Sequence, residues 1–153
     1  MRLLATLALC AAAAVPTFAA ADMADSAIKA RRGYYQLLGW NFGPLVAMAK
    51  GERAYDAAAA DAYAANLSAL SFYDIPNLFP EGSSNADKPG DTRALPAIWA
   101  NMDDVGQKIA NFRNAVSAIS EQAGQGRAAL GPAVAELGKT CGACHDDYRA
   151  RDF

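Results

Sequence analysis

The sequence predicts an all-α domain, an antiparallel four-helix bundle with one long loop between helices 2 and 3. Apolar residues recur in alternating steps of three and four along four stretches, which is the spacing of helices that bury one face in a bundle. Alanine is abundant, and the alternating patterns typical of strands are lacking. Proline and glycine cluster in only a few places, and these places separate the four stretches.

The first two predicted helices run from about Met23 to Lys50 and from about Tyr55 to Tyr73. The apolar seam of the first reads Ile28, Arg31, Tyr35, Leu38, Phe42 and Leu45. The seam of the second reads Ala60, Tyr63, Leu67 and Leu70. Gly43 and Pro44 are expected to bend the first helix, and the many alanines of the second should let a neighbouring helix approach closely.

The segment from Asp74 to Leu95 is rich in Pro, Gly, Ser, Asn and Asp and is longer than an ordinary helix connection. Its apolar residues, Ile75, Leu78 and Phe79, are expected to pack in the core or against the edge of a ligand. The third predicted helix runs from about Pro96 to Ala123. Its seam reads Ile98, Met102, Val105, Ile109, Phe112, Val116 and Ile119.

The fourth predicted helix, about Arg127 to Arg151, carries the seam Leu130, Val134, Leu137, Cys141, Cys144 and Tyr148. Residues 141–145 read Cys-Gly-Ala-Cys-His, the attachment signature of haem c. Cys141 and Cys144 share one helix face and can form thioethers with the two vinyl groups along one porphyrin edge, while His145 points at the iron. The sequence therefore predicts one covalent haem c per chain, which replaces core side chains inside the bundle.

Two other interpretations of the motif are weaker. A structural zinc site needs four ligands, and beyond Cys141, Cys144 and His145 the only remaining cysteine or histidine is Cys10, in a predicted leader. A thioredoxin-like redox pair lies at a helix N-terminus after a strand, whereas this pair comes late in a long helical pattern. Because His145 is the only histidine and no methionine follows it, a sixth iron ligand must come from upstream or be absent.

Residues 1–21 are typical of a signal peptide, which leaves residues 22–153 as the mature domain. Arg2 supplies a short basic start, Leu3 to Val15 is apolar or small apart from Thr6, and residues 19–21 offer a small-residue cleavage site. The apolar run is too short to span a membrane. Export to the periplasm fits the motif, because haem c is attached outside the bacterial cytoplasm.

Size and charge indicate one domain without a nucleic-acid or membrane partner. The chain has 14 basic and 16 acidic residues, and loss of Arg2 with the leader leaves 13 against 16, a net charge of −3. Nothing in this balance favours binding to nucleic acid or to an anionic membrane. The mature chain of about 130 residues is enough for a single core.

The chain resembles the cytochrome c′ family, the class II c-type cytochromes, across the whole mature domain. In the first helix the resemblance rests on Ala27-Ile28-Lys29 followed by Arg31 and on residues 39–43, which read Gly-Trp-Asn-Phe-Gly. It also rests on residues 98–102 in the third helix, Ile-Trp-Ala-Asn-Met, and on residues 141–149 in the fourth. The resemblance implies a four-helix haem bundle that is commonly dimeric.

The resemblance also implies roles for particular residues. Arg31 falls at the position of an arginine that contacts a haem propionate, and Arg32 stands at the next position, where the family often has glutamine. Tyr35 falls over the open face of the iron. Arg149 falls behind the proximal histidine. Thr92 and Arg93 match a stretch that touches the propionates. Apart from the resemblance, Phe79 of the long loop and Tyr148 of the fourth seam complete the predicted cofactor-binding set.

The residues alone support part of this assignment. Arg31 stands in an apolar seam, and a buried guanidinium is costly unless it is paired, so either a propionate binds it or it reaches water at the end of the bundle. Tyr35 is either a core aromatic or the residue that covers the iron. Arg149 also suits the C-terminal end of any helix.

Two functions from different classes follow from the site. The first is a five-coordinate, high-spin haem that binds small diatomic ligands, with nitric oxide and carbon monoxide implied by the family. The second is a low-spin periplasmic electron carrier with an unknown redox partner. A peroxidase-type enzyme is disfavoured, because a chain with one histidine cannot supply a distal histidine as acid and base.

A homodimer is expected through the first two helices, with residues 57–60 and Tyr34 on an outward apolar face.

Overall fold

The protein is described here by a computed structural model that covers the backbone of residues 18–152 and the side chains of residues 23–152. The helices within that part of the chain are α1 (Phe18–Lys50), α2 (Ala57–Ser71), α3 (Ala97–Ala100), α4 (Met102–Gln122) and α5 (Arg127–Tyr148), with a 3₁₀ turn at Ile75–Leu78. Residues 1–17, including Cys10 and most of the predicted leader, lie outside the described residues. The leader therefore stays a prediction.

The four long helices pack as a closed ring. α1 packs against α2 and α5, and α4 packs against α2 and α5. This arrangement confirms the predicted four-helix bundle with one long connection. Asp56 begins α2, because its carboxylate accepts a hydrogen bond from the Ala59 amide at 2.9 Å.

The core has two parts that meet at the middle of the bundle. One is centred on fully buried residues of all four long helices, such as Leu45, Leu67, Ile119 and Leu130. The other contains Tyr34, Ile75, Leu78, Ala94, Ile98, Val105, Ile109 and Tyr148. Leu38 and Phe112 pack against both parts. The first part is an ordinary helix-bundle core. In the second part, apolar residues of the long loop pack against residues of the helices.

The third predicted helix is in fact two helices, which meet at Asn101. The Asn101 side-chain amide donates to the Ala97 carbonyl at 2.8 Å, the acceptor that the Asn101 backbone N–H would use in an unbroken helix. That N–H bonds the Ile98 carbonyl instead, and Asn101 leaves the helical region at φ −137° and ψ 43°. The predicted seam residue Met102, just after the break, is 37% exposed rather than buried.

The long loop is fastened at the start of α1 and directly after α5, the helix that carries the motif. Lys88 forms a 2.6 Å ion pair with Asp25 at the start of α1. Ala94 pairs as an isolated antiparallel bridge with Arg149, directly after α5. α5 therefore ends at Tyr148, three residues before the predicted end, because Arg149 adopts an extended conformation in this bridge.

Tyr34 does not lie on an outward face, so that part of the dimer prediction is wrong. It is 6% exposed, and its hydroxyl donates to the Leu70 carbonyl at 3.1 Å. The large apolar residues that α1 exposes include Leu37 and Trp40, at 53% and 76%. Leu37 follows Tyr35 by two residues and Trp40 follows Leu38 by two, so each points about half a turn away from that seam residue.

Candidate haem site

The two motif cysteines lie in the seam of α5, between the two parts of the core. Cys141 packs against the first part and Cys144 against the second. Both are half-buried free thiols, and burial raises the pKa of each. Since both lie on one face of one helix, their sulfurs are presented along a line, as the edge of a flat ligand requires.

His145 follows directly on the same helix and is half-buried. Burial lowers the pKa of its imidazole, and the nearby Arg149 and Arg93 lower it further, whereas Asp146 raises it. The site therefore favours the neutral imidazole, which is the form that binds a metal. The predicted residues Arg93 and Arg149 are thus brought to the His145 end of the site.

The donor atoms suit a haem better than a tetrahedral ion. Within the described residues, no three His, Cys, Asp or Glu side chains form a group that could hold a metal ion. Cys141, Cys144 and His145 instead run along one helix. A porphyrin uses its own nitrogens to hold the iron and needs from the protein two thiols at its edge and one axial imidazole, which is the set that α5 presents.

Tyr35 lies across from the motif on α1. Burial raises the pKa of its hydroxyl, the side chains of Cys144 and Tyr34 raise it further, Arg31 lowers it and Cys141 raises it. Its side chain is 41% exposed as a whole, and these electrostatic influences show that its hydroxyl lies near Arg31 and both motif cysteines. The two seam positions predicted to face the haem from α1 and α5 are therefore brought together.

Arg31 is 4% exposed and binds the long loop. Nη1 donates to the Leu78 carbonyl at 3.1 Å and to Ser83 Oγ at 3.2 Å. Nη2 donates to the Ser83 carbonyl at 2.9 Å and to Thr92 Oγ1 at 2.7 Å. The guanidinium carbon also lies 4.6 Å from the centre of the Phe79 ring.

Every one of these acceptors is neutral. Arg31 forms no ion pair with a carboxylate in the described part of the chain. Burial lowers the pKa of its guanidinium, but arginine stays protonated in proteins. A buried positive charge with only neutral partners fits an anionic ligand beside it, and the carboxylates of a haem are such anions.

Of the remaining predicted residues, some contact Arg31 and one does not. Thr92 and Phe79 belong to the Arg31 cluster, since one accepts its hydrogen bond and the other stacks on its guanidinium. Arg32 is exposed and joins no contact of this cluster. Ser83, fully buried with two atoms that accept from Arg31, was not predicted, because a serine in a polar loop carries no signal of burial.

Tyr148 is buried and anchors the end of α5 to α4. Its hydroxyl donates to an Asp104 carboxylate oxygen at 2.6 Å, and Lys108 bonds Asp147 at 2.9 Å. Lys108 also lowers the pKa of Cys144, which places this pair beside the motif. Asp104 and Lys108 were missed from the sequence, since charged residues on the outer turns of a helix usually only face solvent.

Fold and motif together define a c-type cytochrome of the helical-bundle class. The family model described as Cytochrome C' matches residues 26–149. The chain belongs to the cytochrome c′ family. The family implies haem c and is generally a non-enzymatic haem protein.

Relatives and solved structures agree with this assignment. A cytochrome c′ of Cereibacter sphaeroides is 46% identical over 149 residues, 97% of each chain. The solved cytochrome c′ from Rhodobacter Spheriodes superimposes with a TM-score of 0.81 at 45% identity, and covers 84% of this chain and 98% of its own.

Two further solved cytochromes c′ carry information on ligands and assembly. A point mutant of the protein from Alcaligenes xylosoxidans, solved as a nitric oxide complex, has a TM-score of 0.73 at 29% identity, with 84% of this chain and 97% of its own covered. Another, described as having an unusual ligand-controlled dimer dissociation, has a TM-score of 0.76 at 29% identity over 84% and 97%.

Proposed function

We propose that this chain is a periplasmic cytochrome c′ that carries one haem c, covalently attached through Cys141 and Cys144, with His145 as the axial iron ligand. The iron is five-coordinate and high-spin, binds nitric oxide and carbon monoxide, and exchanges single electrons. When bound, the haem supplies the iron at which a diatomic ligand attaches. Side chains of the bundle position the haem and control access to it.

One observation carries the proposal: the group facing the motif from α1 is Tyr35, not methionine or histidine. Met48 is fully buried in the first part of the core, and Met23 and Met102 are exposed at 65% and 37%. Tyr35, by contrast, lies close enough to both motif cysteines for them to raise the pKa of its hydroxyl. Tyr35 therefore covers the iron face by bulk, and its neutral hydroxyl, held protonated by burial, is a poor iron ligand.

The other residues position the cofactor. Arg31 pairs with one haem carboxylate while it keeps its bonds to the loop through Ser83 and Thr92, so the loop and the cofactor share one cation. Arg93 and Arg149 favour neutral His145. Tyr148 fixes the last turn of α5, and with it the direction of the imidazole, through Asp104.

Solved relatives support diatomic ligands. The Alcaligenes xylosoxidans protein is known as a nitric oxide complex and, in another variant, with carbon monoxide bound. A crowded apolar face admits small neutral diatomics more readily than water or anions, because a charged or strongly hydrated ligand loses its hydration there. The same selectivity is proposed for the Tyr35 face.

Periplasmic location and a homodimer complete the proposal. The predicted leader supports export, and the described residues contain no helix long and apolar enough to cross a membrane. Leu37 and Trp40, on a shallow groove with Gly33, Gln36 and Gly39, form the apolar face of α1 that a second copy would cover. A solved relative is described as having a ligand-controlled dimer dissociation.

The decisive experiment is a resonance Raman and absorption spectrum of the purified holoprotein in both oxidation states. Five-coordinate high-spin markers are expected in the ferric and ferrous forms. A low-spin ferric spectrum with a sulfur-to-iron charge-transfer band would instead establish a His/Met electron carrier, the second candidate. A haem that is released by acidified organic solvent would contradict covalent attachment.

A further inference from the structure

Three tyrosine rings lead from the proposed haem site to the protein surface. Tyr35 contacts Tyr34 edge to face, with centroids 5.3 Å apart and planes at 72°. Tyr34 contacts Tyr73, with centroids 5.6 Å apart and planes at 34°. Tyr34 is buried at 6% exposure, whereas Tyr73 is 50% exposed at the end of α2. The rings thus form one continuous path with a buried middle and an accessible outer end.

We propose that this path lets Tyr73 supply an electron to the haem site when hydrogen peroxide oxidises that site. The oxidation then ends at Tyr73 on the protein surface rather than at the buried cofactor. The proposal rests on the proposed attachment of haem beside Tyr35. It adds a protective activity to ligand binding.

The surroundings of each tyrosine assign its part in the path. The Tyr34 hydroxyl donates to the Leu70 carbonyl, a neutral amide oxygen that does not accept a proton outright, and burial raises the pKa of Tyr34 to about 12. Loss of a proton at Tyr34 is therefore unfavourable, and its ring serves as a bridge. Tyr73 is half-exposed, so its proton passes to water when its electron leaves.

The overall reaction balances without another reductant. Two chains each give up one electron and one proton from the Tyr73 phenol, and the two phenoxyl radicals join through a new carbon–carbon bond to give dityrosine. The two electrons and two protons reduce one hydrogen peroxide to two waters. The cross-link between two Tyr73 residues is thus the stable product that records the path.

The test treats haem-loaded protein with hydrogen peroxide and measures dityrosine by fluorescence, with peptide mass mapping of the cross-link. Tyr73→Phe is expected to abolish the cross-link. Tyr34→Leu, which removes the bridging ring, should also lose it, whereas Tyr34→Phe, which keeps the ring, should retain it. Tyr63→Phe is the matched control, since Tyr63 packs in the other part of the core.

The outcomes separate this inference from the proposed function. A holoprotein with covalent haem that forms cross-links at other tyrosines, or a Tyr34→Leu variant that cross-links like the parent, would overturn the path. If Tyr34→Leu does not take up haem, an unchanged radical yield in Tyr73→Phe, read by electron paramagnetic resonance, would overturn it equally. A chain without covalent haem would instead contradict the proposed function.

Discussion

The Tyr148 hydroxyl donates a 2.6 Å hydrogen bond to the Asp104 carboxylate, and this bond joins the last turn of the motif helix to the first turn of α4. The bond raises the pKa of Tyr148 from 10.0 to about 12, with burial as the second cause. Tyr148 follows His145 by three residues, so the contact fixes the part of α5 from which the imidazole projects.

Asp104→Ala should bring the pKa of Tyr148 back toward 10.0. Because the folded pKa is raised, the stability from this bond is fully present below pH 10 and is lost as the pH rises toward 12. Tyrosinate absorbance against pH, with Tyr148→Phe to assign the step, measures the change. Asp103→Ala removes a neighbouring acid of the same turn and should leave the titration unchanged.

Replacing both motif cysteines by alanine should abolish covalent haem and leave the domain largely unfolded. The cofactor would fill the seam between Tyr35 and α5, and its loss would cost far more than the roughly 2 to 5 kcal/mol of one large-to-small core change. Haem extraction and circular dichroism of the Cys141→Ala, Cys144→Ala protein measure the two effects. Haem that stays attached to this variant would contradict the assignment.

Arg31→Leu should lower both the reduction potential and the stability. The buried cation disfavours the more positive ferric iron, so its removal favours the oxidised form. The change also leaves acceptors of Ser83 and Thr92 without their donor, at a cost on the order of 2 to 4 kcal/mol. Potentiometry and urea unfolding of the holoprotein test both effects.

Arg32→Leu is the matched control, because it removes the same charge from the next residue. Arg32 is exposed and outside the Arg31 cluster, so water screens its charge. We expect a small shift in potential and no loss of stability. Equal effects of the two substitutions would mean that Arg31 acts only through net charge.

Trp40→Asp should shift the protein toward monomer. A carboxylate in place of the 76% exposed indole would be buried without a partner if a second copy covers this face. Equilibrium sedimentation at micromolar concentration gives the assembly state. Phe72→Asp changes an aromatic residue that is equally exposed, at 80%, but lies at the end of α2, and it should leave the assembly unchanged.

Periodicity predicted the bundle and most of its seams, because a repeat of three and four residues is a direct consequence of helix geometry. It failed at Asn101, where a side-chain amide replaces a backbone donor. It also failed at Tyr34, whose burial depends on the 3₁₀ turn and the end of α2 rather than on α1 itself. The spacing of apolar residues within one helix does not report contacts that its residues make with distant segments.

The sequence revealed the roles of some site residues and not of others. Spacing alone identified the Cys141–His145 motif, since its chemistry is local to one helix. An arginine in an apolar seam pointed to a buried charge at Arg31, but not to Ser83, which meets it across 52 positions of sequence. Asp104 and Lys108 were missed because only the packing of α4 on α5 gives them a role beside the motif.

Tyr35 determines access to the iron in the proposed mechanism, so Tyr35→Ala should open the face that it covers. A diatomic ligand must displace a packed aromatic ring in the parent, and the smaller side chain removes that barrier. Carbon monoxide should therefore associate faster and bind more tightly, and water or imidazole should bind the ferric iron. Flash photolysis and ferric absorption spectra measure these changes.

The same substitution should lower stability as affinity rises. The side chain is 41% exposed, so the loss of packing is less than that of a fully buried aromatic, about 2 kcal/mol. Tyr35→Phe serves as the control, because it keeps the ring and removes only the hydroxyl. It should retain slow carbon monoxide association if bulk controls access. Unchanged kinetics in Tyr35→Ala would mean that Tyr35 is only a core residue, and electron transfer would then be the better function.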